Sequence, residues 1–88
     1  MAASTIKITV KLYAMLAKYL PPGAVDNQIA VAAADDATVT GVLADFGLPP
    51  EMCHLVLING VYVAPSDRAQ RRLQDGDALA VWPPVAGG

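Results

Sequence analysis

Cysteine, aromatic side chains and long apolar runs are all scarce in this sequence of 88 residues. Its one cysteine, Cys53, excludes a disulfide bond within the chain. No apolar run approaches the roughly 20 residues that a transmembrane helix needs, and the first residues lack the pattern of a secretory signal peptide. We therefore expect a cytoplasmic protein with no membrane partner.

Charge is also scarce and nearly balanced, since six Lys and Arg against eight Asp and Glu give a net charge of −2. The basic residues fall into a lysine group and an arginine group: Lys7, Lys11 and Lys18, then Arg68, Arg71 and Arg72. Because nucleic-acid binding needs a concentrated basic surface, we expect no nucleic-acid partner. The three arginines are predicted to form a solvated face rather than an anion site.

The sequence does contain enough apolar material for one core. Hydrophobic residues make up 55% of the chain, which is well outside the composition of disordered proteins. A chain of this length has room for one core only. Residues 1–88 are therefore predicted to form a single domain.

Alternating residues near the start predict a β-hairpin. Residues 6–13 place four aliphatic side chains on one face and more polar ones on the other, as in a strand with one solvated face. Residues 28–33 alternate in the same way. Pro21-Pro22-Gly23 between them predicts a long connecting loop.

A helix and a second hairpin are predicted next. The apolar residues of segment 39–46 recur at intervals of three and four, which gives a helix one apolar face. Asp36 or Thr38 is expected to cap its N-terminus and Gly47 to end it. Further on, Asn59-Gly60 lies between two short apolar runs and predicts a type I′ hairpin turn.

The remaining segment supplies a last strand, residues 78–82, after an Asp-Gly-Asp turn at 75–77. The order β-β-α-β-β-β predicts an α+β mixed sheet with one main helix packed on its apolar face, and with the first and last strands adjacent and parallel. This is the β-grasp, or ubiquitin-like, arrangement. A ferredoxin-like fold is the alternative, but residues 67–73 predict only a short, polar helical turn where that fold needs a second true helix.

The segment beyond Trp82 has the composition of an extended tail, Pro83-Pro84-Val85-Ala86-Gly87-Gly88. Its two prolines cannot donate hydrogen bonds and hold the stem extended, while its tip is slim enough for a narrow channel. A frayed terminus is the ordinary explanation of such a segment. A stiff stem, a slim tip and a final glycine nevertheless suit the presentation of a carboxylate to an enzyme, so we expect residues 83–88 to project from the domain.

These residues also resemble a known family. Leu73-Gln74-Asp75-Gly76-Asp77, followed by a short strand and the tail, resembles the end of MoaD proteins in the MoaD/ThiS family of sulfur carriers. Residues 10–20 are similar to the first strand and following loop of that family, so the resemblance covers essentially the whole chain. ThiS-like chains usually lack the Pro-Pro-Val-Ala stem, which favours MoaD, the small subunit of molybdopterin synthase.

The resemblance implies a noncatalytic carrier in molybdenum cofactor biosynthesis. A MoeB-like, E1-like enzyme would use ATP and Mg²⁺ to adenylate Gly88, and a persulfide donor would supply the sulfur of a thiocarboxylate. A MoaE-like large subunit would receive the tail and pass the sulfur to a pterin precursor. The chain itself would bind no cofactor, and the residues that thread into the partner would be Pro83, Pro84, Val85, Ala86 and Gly87.

Three aromatic residues are predicted to form the partner interface. By alternation, Tyr13, Tyr62 and Trp82 point away from the core, and a parallel pair of end strands places Tyr13 and Trp82 at the same end, next to the tail. Exposed aromatic side chains often anchor interfaces, and the resemblance implies a comparable hydrophobic docking patch. The alternative is that edge residues or a folded-back loop cover these rings.

Cys53 and His54 are candidates for chemistry that the pattern does not support. No second cysteine or histidine is available to complete a tetrahedral metal site, and adjacent side chains rarely face each other as a catalytic dyad must. We predict no metal site, and we predict that Cys53 is a small, partly buried apolar residue.

Other functions remain open at this point. The carrier could serve a different sulfur pathway, such as thiamine, tungstopterin or tRNA thiolation. It could be a ubiquitin-like modifier that is conjugated to lysines, or a β-grasp binding module whose tail is incidental.

Overall fold

The computed structural model describes residues 4–84. Its elements in chain order are β1 (Thr5–Leu12), β2 (Gln28–Ala34), α1 (Val39–Asp45), β3 (Leu55–Ile58), β4 (Val61–Tyr62) and β5 (Ala78–Trp82). Three short 3-10 helices lie at Ala14–Tyr19, Pro50–Met52 and Pro65–Asp67. No helix in this part of the chain is long and apolar enough to cross a bilayer.

The five strands form one sheet in the order β2-β1-β5-β3-β4. The contact between β1 and β5 is parallel and places Thr9 opposite Ala78, whereas the other three contacts are antiparallel. Within residues 4–84 there is one α-helix. The α+β prediction of a β-grasp fold is confirmed, and the ferredoxin-like alternative is excluded.

The core lies between one face of this sheet and α1. The inward side chains of β1, namely Ile8, Val10 and Leu12, are at most 1% exposed, and each contributes roughly 1.5–3 kcal/mol by leaving water. Val39 and Leu43 bury the facing side of α1. Apolar side chains recur every second residue in the strand and every three to four residues in the helix. Both patterns therefore place apolar side chains in the same core.

Local signals fix both ends of α1. Thr38 has an extended backbone, and its Oγ1 accepts a hydrogen bond from the Gly41 N–H at 3.1 Å, so that Thr38 rather than Asp36 is the N-cap. Gly47 has a φ of +79°, and the Leu48 N–H donates to the Leu43 carbonyl at 3.1 Å. This is a left-handed helix stop of the predicted kind.

The β3–β4 turn is bound to the start of β5. Asn59 and Gly60 have φ values of +51° and +83°, as a type I′ turn requires. Asn59 Nδ2 donates to Asp77 Oδ1 at 2.8 Å, and the Ala78 N–H donates back to Asn59 Oδ1 at 2.9 Å. Asp77 Oδ2 also accepts from the Gln74 N–H at 2.8 Å. The turn predicted for residues 75–77 is confirmed, and the Asp77 side chain also joins this turn to the β3–β4 turn.

Two segments differ from the sequence-based prediction. Ala14–Tyr19 forms a 3-10 helix where the resemblance implied a loop, because the fully buried Leu16 holds it against the core. The helical turn predicted for residues 67–73 lies earlier, at Pro65–Asp67, because the fixed φ of Pro65 suits the first position of a helix.

Candidate functional site

The sheet face opposite α1, called the outer face here, carries apolar side chains that stay partly exposed. Strand register places Ala80 between Lys11 and Leu57, and Tyr62 beside Leu57. Leu57 is half-buried although it lies in an interior strand, and Tyr62 is 54% exposed. An apolar surface left partly open to water is a candidate docking surface.

Tyr13 and Trp82 form a stacked pair at the end of this face. Their ring centroids are 4.5 Å apart and their planes differ by 10°, which is the geometry of an aromatic stack. The backbone fixes the pair, because the Tyr13 N–H donates to the Val81 carbonyl at 3.2 Å. Both rings are half-buried. The predicted placement of these two residues at one end is confirmed; each ring covers part of the other and leaves part exposed.

Tyr62 lies apart from that pair. It pairs with Leu57 in β3, whereas Trp82 pairs with Leu55 at the other end of β3. The structure therefore does not bring the three predicted interface aromatics into one cluster. Tyr62 shares the outer face with the stacked pair across the half-buried leucines of β3.

The start of the predicted tail belongs to the domain. Pro83 is buried and Pro84 is exposed, so the expectation that the stem projects from Pro83 is wrong by one residue. The preceding backbone is held as well, since the His54 N–H donates to the Trp82 carbonyl at 3.0 Å. Val85, Ala86, Gly87 and Gly88 lie outside the described residues, and their roles stay predictions.

Arg68 is buried, which corrects the prediction of a solvated arginine face. Only 8% of its surface is exposed, and its guanidinium donates to three backbone carbonyls: Val63 at 3.3 Å, Cys53 at 2.6 Å and His54 at 3.2 Å. Arg71 and Arg72 are exposed as predicted. No sequence signal separates Arg68 from them, because all three lie in one polar segment and two of the three carbonyl partners are 14 and 15 residues away.

Arg68 and Cys53 line a cavity of about 260 Å³ between α1 and the two 3-10 helices that follow it. The other lining residues are mostly apolar: Thr40, Leu43, Ala44, Leu48, Pro50 and Pro65. The hydrogen bonds of Arg68 go to carbonyls that join three backbone segments. These hydrogen bonds to the backbone therefore explain why Arg68 lies in this cavity.

Cys53 is buried, so the prediction of a small apolar residue is confirmed. Its Sγ lies 3.6 Å from the Pro49 carbonyl. Burial raises the pKa of the Cys53 thiol from its ordinary value of 9.0, against the opposing effect of the Arg68 charge. Among residues 4–84 no group of three or more His, Cys, Asp or Glu side chains is placed to hold a metal ion.

The Cys53 thiol is expected to resist alkylation in the folded protein. Because its folded pKa is raised and the thiolate is the nucleophile, iodoacetamide at pH 8 should react at least about tenfold more slowly than with the urea-unfolded chain. Stability should also fall as the pH rises above about 9, because the unfolded chain ionises its thiol first. Equal alkylation rates of folded and unfolded protein, measured by mass spectrometry, would contradict this prediction.

Comparison with known proteins identifies the family to which this chain is similar. The family model described as Mut7-C ubiquitin matches residues 5–87. The HVO 2177 protein of Haloferax volcanii is 32% identical over 96% of this chain and 88% of that one, with a TM-score of 0.73. Small archaeal modifier protein 1 (SAMP1) of the same organism is 30% identical over 93% of this chain and 99% of that one, with a TM-score of 0.64.

A candidate molybdopterin converting factor subunit 1 from Pyrococcus furiosus has the same fold. It is 20% identical over 91% of this chain and 99% of that one, with a TM-score of 0.65. None of the curated proteins matches the sequence.

Proposed function

The chain belongs to the Mut7-C ubiquitin family of MoaD-like, ubiquitin-like proteins, and from that premise we propose that it is a sulfur carrier activated at Gly88. An E1-like enzyme adenylates the Gly88 carboxylate, and a persulfide donor converts it to a thiocarboxylate. As the small, noncatalytic subunit of a molybdopterin synthase, the chain then gives its sulfur to a pterin precursor in molybdenum cofactor biosynthesis. The observation that carries this proposal is the Tyr13–Trp82 stack on the outer face, where β5 leads into the tail.

The chemistry needs no catalytic side chain from this protein. An α-carboxyl group has a pKa of roughly 3.3–3.7 and is ionised at neutral pH. A carboxylate oxygen of Gly88 therefore attacks the α-phosphate of ATP, and pyrophosphate leaves. The terminal sulfur of the persulfide then displaces AMP, and a thiol cleaves the sulfur–sulfur bond to leave the thiocarboxylate. ATP, Mg²⁺ and both sulfur reagents are bound by partners.

The buried Pro83 sets the reach of the tail. Because the domain holds the chain as far as Pro83, residues 84–88 connect the domain to the Gly88 carboxylate of this proposal. Five extended residues span at most about 17 Å. A partner that docks on the outer face must therefore hold its reactive centre within about that distance of Pro83. The length of the tail therefore limits the distance between the docking surface and the reactive centre of each partner.

The proposal is tested by following the mass of the intact protein. The chain is incubated with an E1-like enzyme, ATP and a persulfide donor, and we expect the mass gained when one C-terminal oxygen is replaced by sulfur. The starting mass also reports whether Gly88 carries the free carboxylate that the proposal requires. An unchanged mass, with an enzyme that activates another carrier in the same assay, would refute the proposal. Formation of dithiolene on adding a MoaE-like subunit and pterin precursor identifies the pathway.

A second candidate function is that of a protein modifier. It is favoured by the 30% identity to small archaeal modifier protein 1 over 93% of this chain. The activation step is the same, but a lysine amine then attacks the adenylate carbonyl, and an isopeptide bond forms as AMP leaves. Tryptic peptides branched at a lysine through Gly88 would identify this function, and their absence under conditions of full activation would exclude it.

Replacing Trp82 with alanine is expected to weaken partner binding by about 30-fold, because aromatic anchors near an interface centre are worth about 2 kcal/mol. Part of the Tyr13–Trp82 stack is also lost, so the variant should unfold about 1 kcal/mol more easily. Asp45→Ala, at an exposed position of α1, is the matched control. Titration calorimetry with the E1-like enzyme measures the affinity, and wild-type affinity of the Trp82→Ala variant would show that partners dock elsewhere.

A further inference from the structure

The two edges of the sheet are protected differently. At one edge, β4 contains only two residues, which limits pairing with another strand. At the other edge, β2 has seven residues, Gln28–Ala34, without charge, proline or glycine. Within residues 4–84 no strand pairs with the outer side of β2, but Gln28 exchanges backbone hydrogen bonds with Val25, at 3.0 and 3.1 Å, and the Ala34 carbonyl accepts from the Ala37 N–H at 3.0 Å. Between these two bonded ends, the β2 edge has none of the usual features that prevent strand addition.

The hydrogen bonds identify which β2 backbone groups face this free edge. At the two ends of the β1–β2 ladder, the Leu12 N–H donates to the Asn27 carbonyl at 2.9 Å and the Asp35 N–H donates to the Ser4 carbonyl at 3.2 Å. Bonded and non-bonded pairs alternate in antiparallel strands. The backbone groups of Ile29, Val31 and Ala33 therefore bond to β1. Those of the residues that alternate with them point outward, namely Ala30, Ala32 and Ala34.

The side chains along β2 leave space for a neighbour. Ala30 and Ala32 are exposed on the outer face, so an added strand would meet only methyl groups there. On the other side, Val31 and Ala33 pack against the core but stay half-buried. An added strand would complete their burial.

Charge distinguishes the occupants that this edge could accept. Asp26 precedes β2, Asp35 and Asp36 follow it, and all three are exposed. An antiparallel second copy would bring its own Asp35 and Asp36 to the end of β2 that carries Asp26, so like charges would gather at both ends. Like charges brought close together repel each other. Lys7 and Lys11 lie on β1, roughly 10 Å from an added strand, too far to compensate at the ends.

A hollow beside the strand favours a basic side chain at one end. It has a volume of about 330 Å³, and Thr9, Val25, Asp26 and Ala30 are among the residues that line it. Val25 is 66% exposed and offers an apolar wall beside the Asp26 carboxylate. Lysine and arginine have an apolar stem and a charged end, which suit such a wall and carboxylate.

We propose that the free edge of β2 binds an extended segment of a partner protein, with an uncharged centre and a basic residue at each end. The backbone groups of Ala30 and Ala32 and the N–H of Ala34 supply the ladder, and the three aspartates select the charge of the partner. β1 separates the β2 edge from Trp82, and the site needs no activation of Gly88, so this proposal and the proposed function can fail independently.

The probe is a short peptide whose centre alternates valine and threonine and whose ends each carry two lysines. With the full ¹⁵N-labelled chain, saturating peptide should slow hydrogen exchange of the Ala30, Ala32 and Ala34 amides at least about tenfold, while the already bonded Val31 amide changes little. The same peptide with glutamate at its ends should bind at least about tenfold more weakly.

Two controls test the backbone and charge contributions separately. Ala32→Pro removes an outward N–H, which an edge strand tolerates, and should abolish binding. A peptide methylated on the backbone nitrogens that face β2 tests the same ladder without altering the protein. Asp26→Lys combined with Asp35→Lys should reverse the preference toward the glutamate-ended peptide.

Two results would overturn the proposal. One is that neither peptide slows exchange at Ala30, Ala32 and Ala34. The other is that these amides become protected without peptide as the protein concentration rises, which would show that β2 pairs with a second copy of the chain.

Discussion

Replacing Arg68 with alanine is expected to destabilise the domain by about 3–5 kcal/mol, a large part of the stability of a typical small domain. The three carbonyls that now accept from the guanidinium, those of Val63, Cys53 and His54, would lose their charged donor. Hydrogen bonds to a charged group are worth roughly 1.5–3 kcal/mol each, and water replaces only some of them in a buried site. Urea unfolding followed by circular dichroism measures the change.

Arg71→Ala is the matched control, because Arg71 is exposed in the same polar segment, and its effect should stay within about 0.5 kcal/mol. Arg68→Lys keeps the charge but loses the planar fork of donors, so its stability should fall between those of the wild type and Arg68→Ala. An Arg68→Ala variant as stable as Arg71→Ala would show that the three hydrogen bonds contribute nothing net.

Replacing Gly87 with tryptophan is expected to lower the rate of thiocarboxylate formation about a hundredfold or more without changing thermal stability. A bulky side chain next to Gly88 would keep the carboxylate from its reacting position, and small misplacements cost about that much in rate. Position 87 lies several residues beyond Pro83, which is the last buried residue within residues 4–84, so the core should not be affected. The intact-mass assay described above gives the rate.

Val85→Ala is the control for the tail, since it keeps a small side chain and should change the rate by no more than a few-fold. Loss of activity in both variants would point to a general sensitivity of the tail rather than to a narrow channel. Full activity of Gly87→Trp would contradict threading of Gly87 and, with it, the proposed role of the two glycines.

Local sequence signals predicted most of this fold because they act over a few residues. The Asn59-Gly60 turn needs positive φ values that asparagine and glycine adopt readily. Thr38 and Gly47 delimit α1 by contacts within three to five residues. The parallel pairing of β1 with β5 is not local, yet the element order and the handedness of crossovers were enough to predict it.

The features that the sequence did not predict depend on contacts between residues that are far apart in the sequence. The burial of Arg68 depends on carbonyls up to 15 residues away, and a polar segment carries no periodic signal that would indicate it. The hydrogen bond between the Asn59 and Asp77 side chains joins two turns across 18 residues of sequence. In the candidate site, alternation predicted the positions of Tyr13 and Trp82, but the burial of Pro83 was missed because proline composition alone indicates an extended stem.

The position of β5 has a consequence for synthesis of the chain. β5 leaves the ribosome after the other four strands of this sheet and lies in its middle, between β1 and β3. Until β5 is present, β1 and β2 have no bonded connection to β3 and β4, and the apolar faces on both sides of the gap stay open. Folding therefore awaits a pairing of high sequence separation, between residues such as Thr9 and Ala78. A chain interrupted before residue 78 would expose apolar surface that chaperones and proteases recognise, so residues 83–88 are present only on a chain that can complete the sheet.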